Sequence, residues 1–334
     1  MKRIICKRVL LGASLFISAL SVCGQQNIQF TQYIFNSLSV NPAYAGYKEE
    51  WFGQMALRRQ WAGIQDAPQT GQISLDGVLD PEKKRMGLGV QMASDKLGPQ
   101  TSNSLYLNYA YRLRINDEDT KRLAFGLGVG ISQNAVDQSK LTPVSASDQY
   151  LPKAGSTDFV PDVRFGIYYY SPKWYVGASA MDLVSGNSKV STTSDPNTIR
   201  AIRHRTHFYL ISGLLLDINP EVKLRPSFLI KEDFKGPTSL DLNSMFIFNN
   251  KFWIGASYRT GVELWKKDAG QGQVSRANSM AGVVQFYVSD SFRFGYSYDY
   301  TMSRLRSIEN GSHEISLGIT IPRKVFRVIS PRFF

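Results

Sequence analysis

The sequence predicts an all-β chain closed as a transmembrane, antiparallel outer-membrane β-barrel of fourteen strands, preceded by an N-terminal periplasmic or plug segment. Three observations carry that prediction: repeated segments with period-2 alternation, connections that alternate in length, and a composition that fits few other classes. Of 334 residues, 43% are hydrophobic, 12% aromatic and 20% charged, with 27 glycines. A chain so rich in aromatics buries far more apolar surface than a disordered one needs. No long uninterrupted apolar run follows residue 24, and the mean hydropathy is −0.21, which excludes a helical membrane protein.

Residues 1–24 read as a signal peptide. Lys2, Arg3, Lys7 and Arg8 form a positive n-region, and Val9 to Val22 an apolar stretch too short to span a bilayer. Val22 and Gly24 then offer small residues for cleavage before Gln25. A lipoprotein reading would use Cys23, but Val22 stands where Gly, Ala or Ser is expected, so ordinary cleavage is favoured. Both cysteines lie in this segment, which leaves the mature chain without a disulfide, a thiolate nucleophile or a Cys-ligated metal. Loss of the four basic residues lowers the formal charge of +12 by four. The remaining basic excess is scattered along an exported chain, pointing to anionic lipid headgroups or an acidic partner rather than nucleic acid.

Residues 25–50 are polar and aromatic without a clean period, and form the predicted periplasmic or plug segment. The barrel is predicted over residues 51–321. Residues 291–301 show its pattern best: Phe292, Phe294, Tyr296, Tyr298 and Tyr300 fall on one face, and Arg293, Gly295, Ser297, Asp299 and Thr301 on the other. Residues 104–113, 123–132 and 313–321 repeat it. Strands are predicted to start near Trp51, Gln69, Arg85, Gln100, Lys121, Val160, Lys173, Arg205, Glu221, Thr238, Lys251, Ala277, Ser291 and Ser312. The short connections are 80–84, 115–120, 171–172, 219–220, 249–250 and 289–290. The mostly longer set is 62–68, 96–99, 136–159, 184–204, 233–237, 262–276 and 303–311. An outer-membrane barrel sorts its loops in this way, with tight periplasmic turns and longer external loops. An even count places both termini on the periplasmic side; twelve or sixteen strands are also compatible with these boundaries. Trp51, Trp61, Trp174, Trp253 and Tyr287, near segment ends, suit interfacial girdles.

Chemistry-bearing constellations are sparse. His204 and His207 sit three apart, which on a strand places them on opposite faces and denies joint metal chelation; His313 is remote. Gly126, Gly128 and Gly130 lie mid-strand at spacing two with no following helix, so they read as relief of crowding in a lumen rather than a dinucleotide loop. No serine is singled out as a nucleophile. The sequence therefore predicts no catalytic residue, no metal, no cofactor and no enzymatic activity.

Three stretches are more specific: FTQYIFNSLSVNPAYAG (30–46), RRQWAGIQDAPQT (58–70) and GYSYDYTMSRLRSIENGSHEISLG (295–318). With the weaker GLGVQMASDKLGP (87–99) and GASYRTG (255–261), and in this order, they resemble the PorP/SprF family of type IX secretion outer-membrane proteins. The resemblance spans essentially the whole mature chain. It implies an outer-membrane barrel in the type IX secretion and gliding motility machinery, taking one of two roles. A SprF-like member supports secretion or cell-surface anchoring of a partner adhesin with a type B C-terminal domain. A PorP-like member links the outer membrane to periplasmic, peptidoglycan-associated motor components. The first is favoured; a small-solute porin is a more distant alternative. The implied partners are such an adhesin, periplasmic type IX components and outer-membrane lipid, with no nucleic acid and no small-molecule substrate.

The matching motifs carry two readings. Asn41, Pro42, Tyr44 and Gly46 suit a turn or plug that feeds the chain into the barrel, with Gly46 at positive φ, or a partner contact. Of Arg58 and Arg59, one is expected to face the lumen; Asp299, on the polar face within cross-strand reach of Glu314 or a lumen Arg, is expected to take part in a lumen ion pair. Residues 322–334 form a periplasmic tail in which Arg323, Lys324, Phe326 and Arg327 are the candidate docking residues.

Overall fold

The computed structural model describes residues 30–141, 157–184, 205–264 and 278–322. Among the described residues fifteen strands occur: β1 Trp51–Arg59, β2 Gln69–Val78, β3 Met86–Leu97, β4 Gln100–Arg114, β5 Arg122–Val136, β6 Thr157–Tyr170, β7 Trp174–Met181 and β8 His207–Leu214. These are followed by β9 Leu216–Asp217, β10 Val222–Glu232, β11 Thr238–Phe248, β12 Phe252–Val262, β13 Ser279–Tyr287, β14 Phe292–Thr301 and β15 Ser312–Ile321. All pairings are antiparallel between neighbours, and β1 pairs with β15 from Trp51↔Ile321 to Arg59↔His313, which closes the ring. Fourteen strands make the closed barrel; the two-residue β9 pairs only with β10 and stands outside that closure. Closure leaves no unpaired edge, which is what a sheet surrounded by lipid requires. Each predicted strand start falls within three residues of an observed one.

Alternation sets the two faces, and the faces are inverted relative to a water-soluble barrel. On β14 the pattern runs Arg293 buried, Phe294 partly exposed, Gly295 buried, Tyr296 exposed, Ser297 buried, Tyr298 exposed and Asp299 buried. Most polar and small side chains point inward, joined by buried Tyr168, Tyr170, Tyr175, Ile211 and Ile247, and most of the Phe, Leu and Ile side chains point out towards lipid. Two of the expected girdle residues depart from this. Trp253 is 3% exposed and faces the lumen, and Tyr287 is packed against the interior cluster. Their outward neighbours Phe252 and Phe286 occupy the lipid side instead. A strand has only two faces, so an aromatic at an element's end belongs to the girdle only if its parity is outward.

The connections keep the predicted parity. Residues 79–85, 115–121, 171–173, 218–221, 249–251 and 288–291 make the tight turns at one rim, together with the start of β1 and the end of β15. At the opposite rim the β10–β11 and β14–β15 links span 233–237 and 302–311, while β3 and β4 are joined by Gly98 and Pro99 alone. Paired β4 and β5 reach fifteen residues each, longer than the tilted crossing requires.

Candidate functional site: the seated N-terminal segment

Residues 30–47 run through the lumen as three short 3-10 turns, Thr31–Phe35, Ser37–Ser39 and Pro42–Tyr44, and nearly every side chain is buried. Of the two expectations for this segment, periplasmic or plug, the path of residues 30–47 follows the second. The strand ends at Trp51 and Ile321 do lie on the short-turn rim, but the chain ahead of Trp51 doubles back into the barrel. Phe30 and Thr31 end up beside Arg259, Asp299 and Glu314, at the long-loop end of the interior. A segment without periodic pattern carries many unpaired backbone groups, and the polar inward wall supplies partners for them.

The upper anchor is an ion triad. The Arg58 guanidinium reaches Asp299 at 2.6 Å and Glu314 at 3.0 Å, with all three side chains at most 4% exposed. Thr31 joins it by donating its hydroxyl to Asp299 (2.6 Å) and accepting from Arg58 (2.9 Å). The Thr31 and Gln32 backbone amides donate to the two Glu314 carboxylate oxygens at 2.8 and 3.0 Å. Gln32 also reads strand β15 directly, donating to the Glu314 carbonyl and accepting from Ser316. The sequence placed one Arg inward and an ion pair at Asp299; register explains the rest, because Arg58 faces Glu314 directly while Arg59 points out.

Further along, the segment touches strand after strand. Asn243 donates to the Tyr33 hydroxyl at 2.6 Å, and Arg225 and Arg293 donate to the Ile34 and Phe35 carbonyls at 3.2 and 2.8 Å. Phe35 packs edge-on against the inward Trp253 at 5.6 Å. Ser179 donates to the Val40 carbonyl.

The four predicted N-terminal site residues are brought together here. Asn41 caps the turn at Pro42 by accepting from the Ala43 amide at 2.9 Å, and donates to the β6 and β7 carbonyls of Ile167 and Ala178 at 3.0 and 3.3 Å. Pro42 takes the first position of that turn, where its missing N–H costs nothing. Tyr44 stacks on Tyr47 at 4.9 Å and meets Tyr168 edge-on at 5.7 Å. Gly46 adopts φ +73°, donates its amide to Asp76 at 2.9 Å and passes its carbonyl to Arg112. All four are enclosed by the barrel wall. Arg323, Lys324, Phe326 and Arg327 lie outside the described residues, as do His204 and the predicted signal peptide.

Glycines make the room. A Cβ at Gly126 would overlap the Ala43 and Pro42 main chain, and one at Gly87 the Ala45 carbonyl. Gly130 instead admits the Tyr106 ring. The mid-strand glycines are thus a cradle for the threaded segment and its neighbours, as crowding relief predicts. The lower anchor closes the path: Glu49, 7% exposed, takes Lys84 at 2.7 Å and Arg112 at 3.4 Å, and Arg112 also donates to the Tyr170 hydroxyl at 2.8 Å.

The histidines are apart from this network. His207 faces inward with Nδ1 2.7 Å from the Arg205 carbonyl and 3.6 Å from Asp182, whereas His313 faces outward against the Tyr296 hydroxyl at 2.8 Å. Among the described residues no three His, Cys, Asp or Glu side chains converge as for a metal.

Residues 22–319 match the family described as type IX secretion system membrane protein PorP/SprF. No curated protein matches. Among solved structures, the CymD monoaromatic hydrocarbon channel is similar at 11% identity and a TM-score of 0.52, over 90% of this chain and 95% of that one. A Pseudomonas aeruginosa FadL homologue has 10% identity and a TM-score of 0.46, over 89% and 95% of the two chains. The Acinetobacter baumannii outer membrane protein Omp33 has 8% and 0.44, over 83% and 100%. At such identities the likeness to CymD shows the barrel fold alone.

Proposed function

Because the chain belongs to the PorP/SprF family, and is therefore an integral outer-membrane barrel of the type IX secretion machinery, we propose that it serves a partner adhesin carrying a type B C-terminal domain. Its work is to support secretion of that adhesin or to hold it at the cell surface. The observation that carries this reading is the occupied lumen: residues 30–47 lie buried in the interior and hydrogen-bond to β6, β7, β10, β11, β14 and β15. A barrel filled by its own chain offers rims and outer wall to partners rather than a passage to solutes, which speaks against the porin alternative. The family is one of secretion-system membrane components, not of enzymes. The periplasmic tail, with Arg323, Lys324, Phe326 and Arg327, supplies basic and aromatic groups suited to docking. The buried positions of Asn41, Pro42, Tyr44 and Gly46 favour seating of the segment over direct partner contact.

Deletion of the gene, followed by quantitative surface proteomics, tests the proposal. Loss of one or a few type B cargo proteins, with other type IX cargo unchanged, supports the adhesin role. Loss of all type IX cargo, with co-purification of periplasmic motor components, supports the PorP-like role in its place. Liposome swelling with the purified protein separates both from a porin, since a filled lumen passes no sugars.

A further inference from the structure

The strand register sorts the outward side chains near the long-loop ends of β14, β15 and β1–β6 into rows. The outermost runs Tyr298, His313, Arg59, Gln69, Lys96 and Thr101. The next runs Leu57, Gly71, Ser94, Asn103, Gln133 and Phe159, and below it lie Met55, Ile73, Met92, Leu105, Ile131 and Pro161. The middle row sinks between Leu57 and Phe159 because Gly71 and Ser94 are small, and a groove of 550 Å³ opens on the lipid-facing wall. Its flanks and lower edge are apolar: Leu57, Ile73, Met92, Leu105, Ile131 and Phe159 are 43–58% exposed. Its upper edge is polar, and the Ser94 hydroxyl donates to Asn103 at 2.7 Å while Asn103 donates to Gln133 at 3.4 Å.

Two physical points identify what covers this groove. Carboxamides facing hydrocarbon are costly without polar partners, so the upper edge calls for a headgroup rather than acyl chain. Above it stand two cations, Arg59 and Lys96, flanking Gln69 and hence two strand spacings, about 10 Å, apart. Neither forms an ion pair within the described residues. The loop acid Asp137, whose charge Lys96 feels without forming an ion pair, accepts from both the Ser139 amide (3.0 Å) and hydroxyl (2.7 Å). Paired cations over hydroxyl and amide groups, above an apolar trough, complement a molecule with separated phosphates on a sugar-like core and several acyl chains.

We propose that this groove is a binding site for a phosphorylated, multiply acylated glycolipid of the outer leaflet. Arg59 and Lys96 take its phosphates, the Ser94–Asn103–Gln133 ladder its polar core, and the trough over Ile73, Met92 and Leu105 an acyl chain.

The test is native mass spectrometry of the purified full-length barrel titrated with diphosphorylated lipid A, dephosphorylated lipid A and phosphatidylethanolamine. Heat-modifiability confirms that each variant is folded. The parent is expected to prefer diphosphorylated lipid A at least tenfold over the other two. Arg59→Gln with Lys96→Gln should remove that preference. Gly71→Leu, whose added side chain fills the trough, should weaken all acylated ligands together. Lys251→Glu, at the opposite rim, should change nothing. Equal binding of the three lipids by the parent, an unaltered preference in the double variant, or a tightly retained protein in place of lipid would each overturn the proposal.

Discussion

Replacing Arg58 by Leu tests the claim that the lumen network holds the N-terminal segment in place. The substitution removes the one guanidinium that bridges Asp299 (2.6 Å), Glu314 (3.0 Å) and Thr31 (2.9 Å). Two carboxylates that are 4% and 0% exposed are then left facing one another without their shared cation. Breaking a buried pair by removing one partner costs about 3–5 kcal/mol, because the charge left behind has lost its hydration and gained nothing. Urea unfolding of the barrel in phospholipid vesicles reads that loss as a lower midpoint. A second readout reports the segment itself. Lys48 is the first tryptic site after the predicted signal peptide and the next is Arg58, so release of residues from the lumen exposes a single new cut before Glu49. In the parent, Lys48 lies 4.4 Å over the Phe52 ring, and cleavage should be slow. In Arg58→Leu it should be fast. Adding Asp299→Asn and Glu314→Gln to Arg58→Leu replaces the stranded charges by neutral amides and should recover most of the stability. The reasoning fails if Arg58→Leu costs less than about 1 kcal/mol with Lys48 still protected, or if the two amides recover nothing.

Four further outcomes follow from the same structure. Gly126→Val should expose Lys48 to trypsin, because its side chain takes the space of the Ala43 main chain; Gly282→Ala, with open space around it, should behave as the parent. Leu127→Arg, outward at the middle of the β5 apolar run, should cost about 2–4 kcal/mol in the same urea titration, since an arginine there meets hydrocarbon. A cysteine at Lys235 should react with an impermeant maleimide on intact cells and one at Asp117 should not; the reverse would invert the barrel. Deleting residues 25–47 should turn a liposome-swelling trace from flat to sugar-permeable, provided the strands still close, and a flat trace would mean that other groups block the lumen.

What the sequence by itself determined was the wall. Period-2 alternation depends only on neighbouring residues, so the strands around Phe292–Thr301 and Arg122–Val136, their two faces and the parity of their connections were legible from local pattern. The resemblance carried by NPAYAG and GSHEI was equally visible, and so was an inward Asp299 with an Arg or Glu to meet it. The interior was decided only by tertiary structure. Thr31 finds Asp299 and Glu314 more than 260 residues away, Asn41 finds backbone carbonyls that any residue at 167 or 178 presents, and Phe35 meets a Trp253 that end-of-strand position had suggested was interfacial. The same applies to the groove by Gly71, which exists because six strands line up their side chains in rows. Threading an aperiodic segment through a closed ring is governed by which donors and acceptors the wall leaves over. That remainder is set by register across all fourteen strands, a property no local stretch of sequence contains.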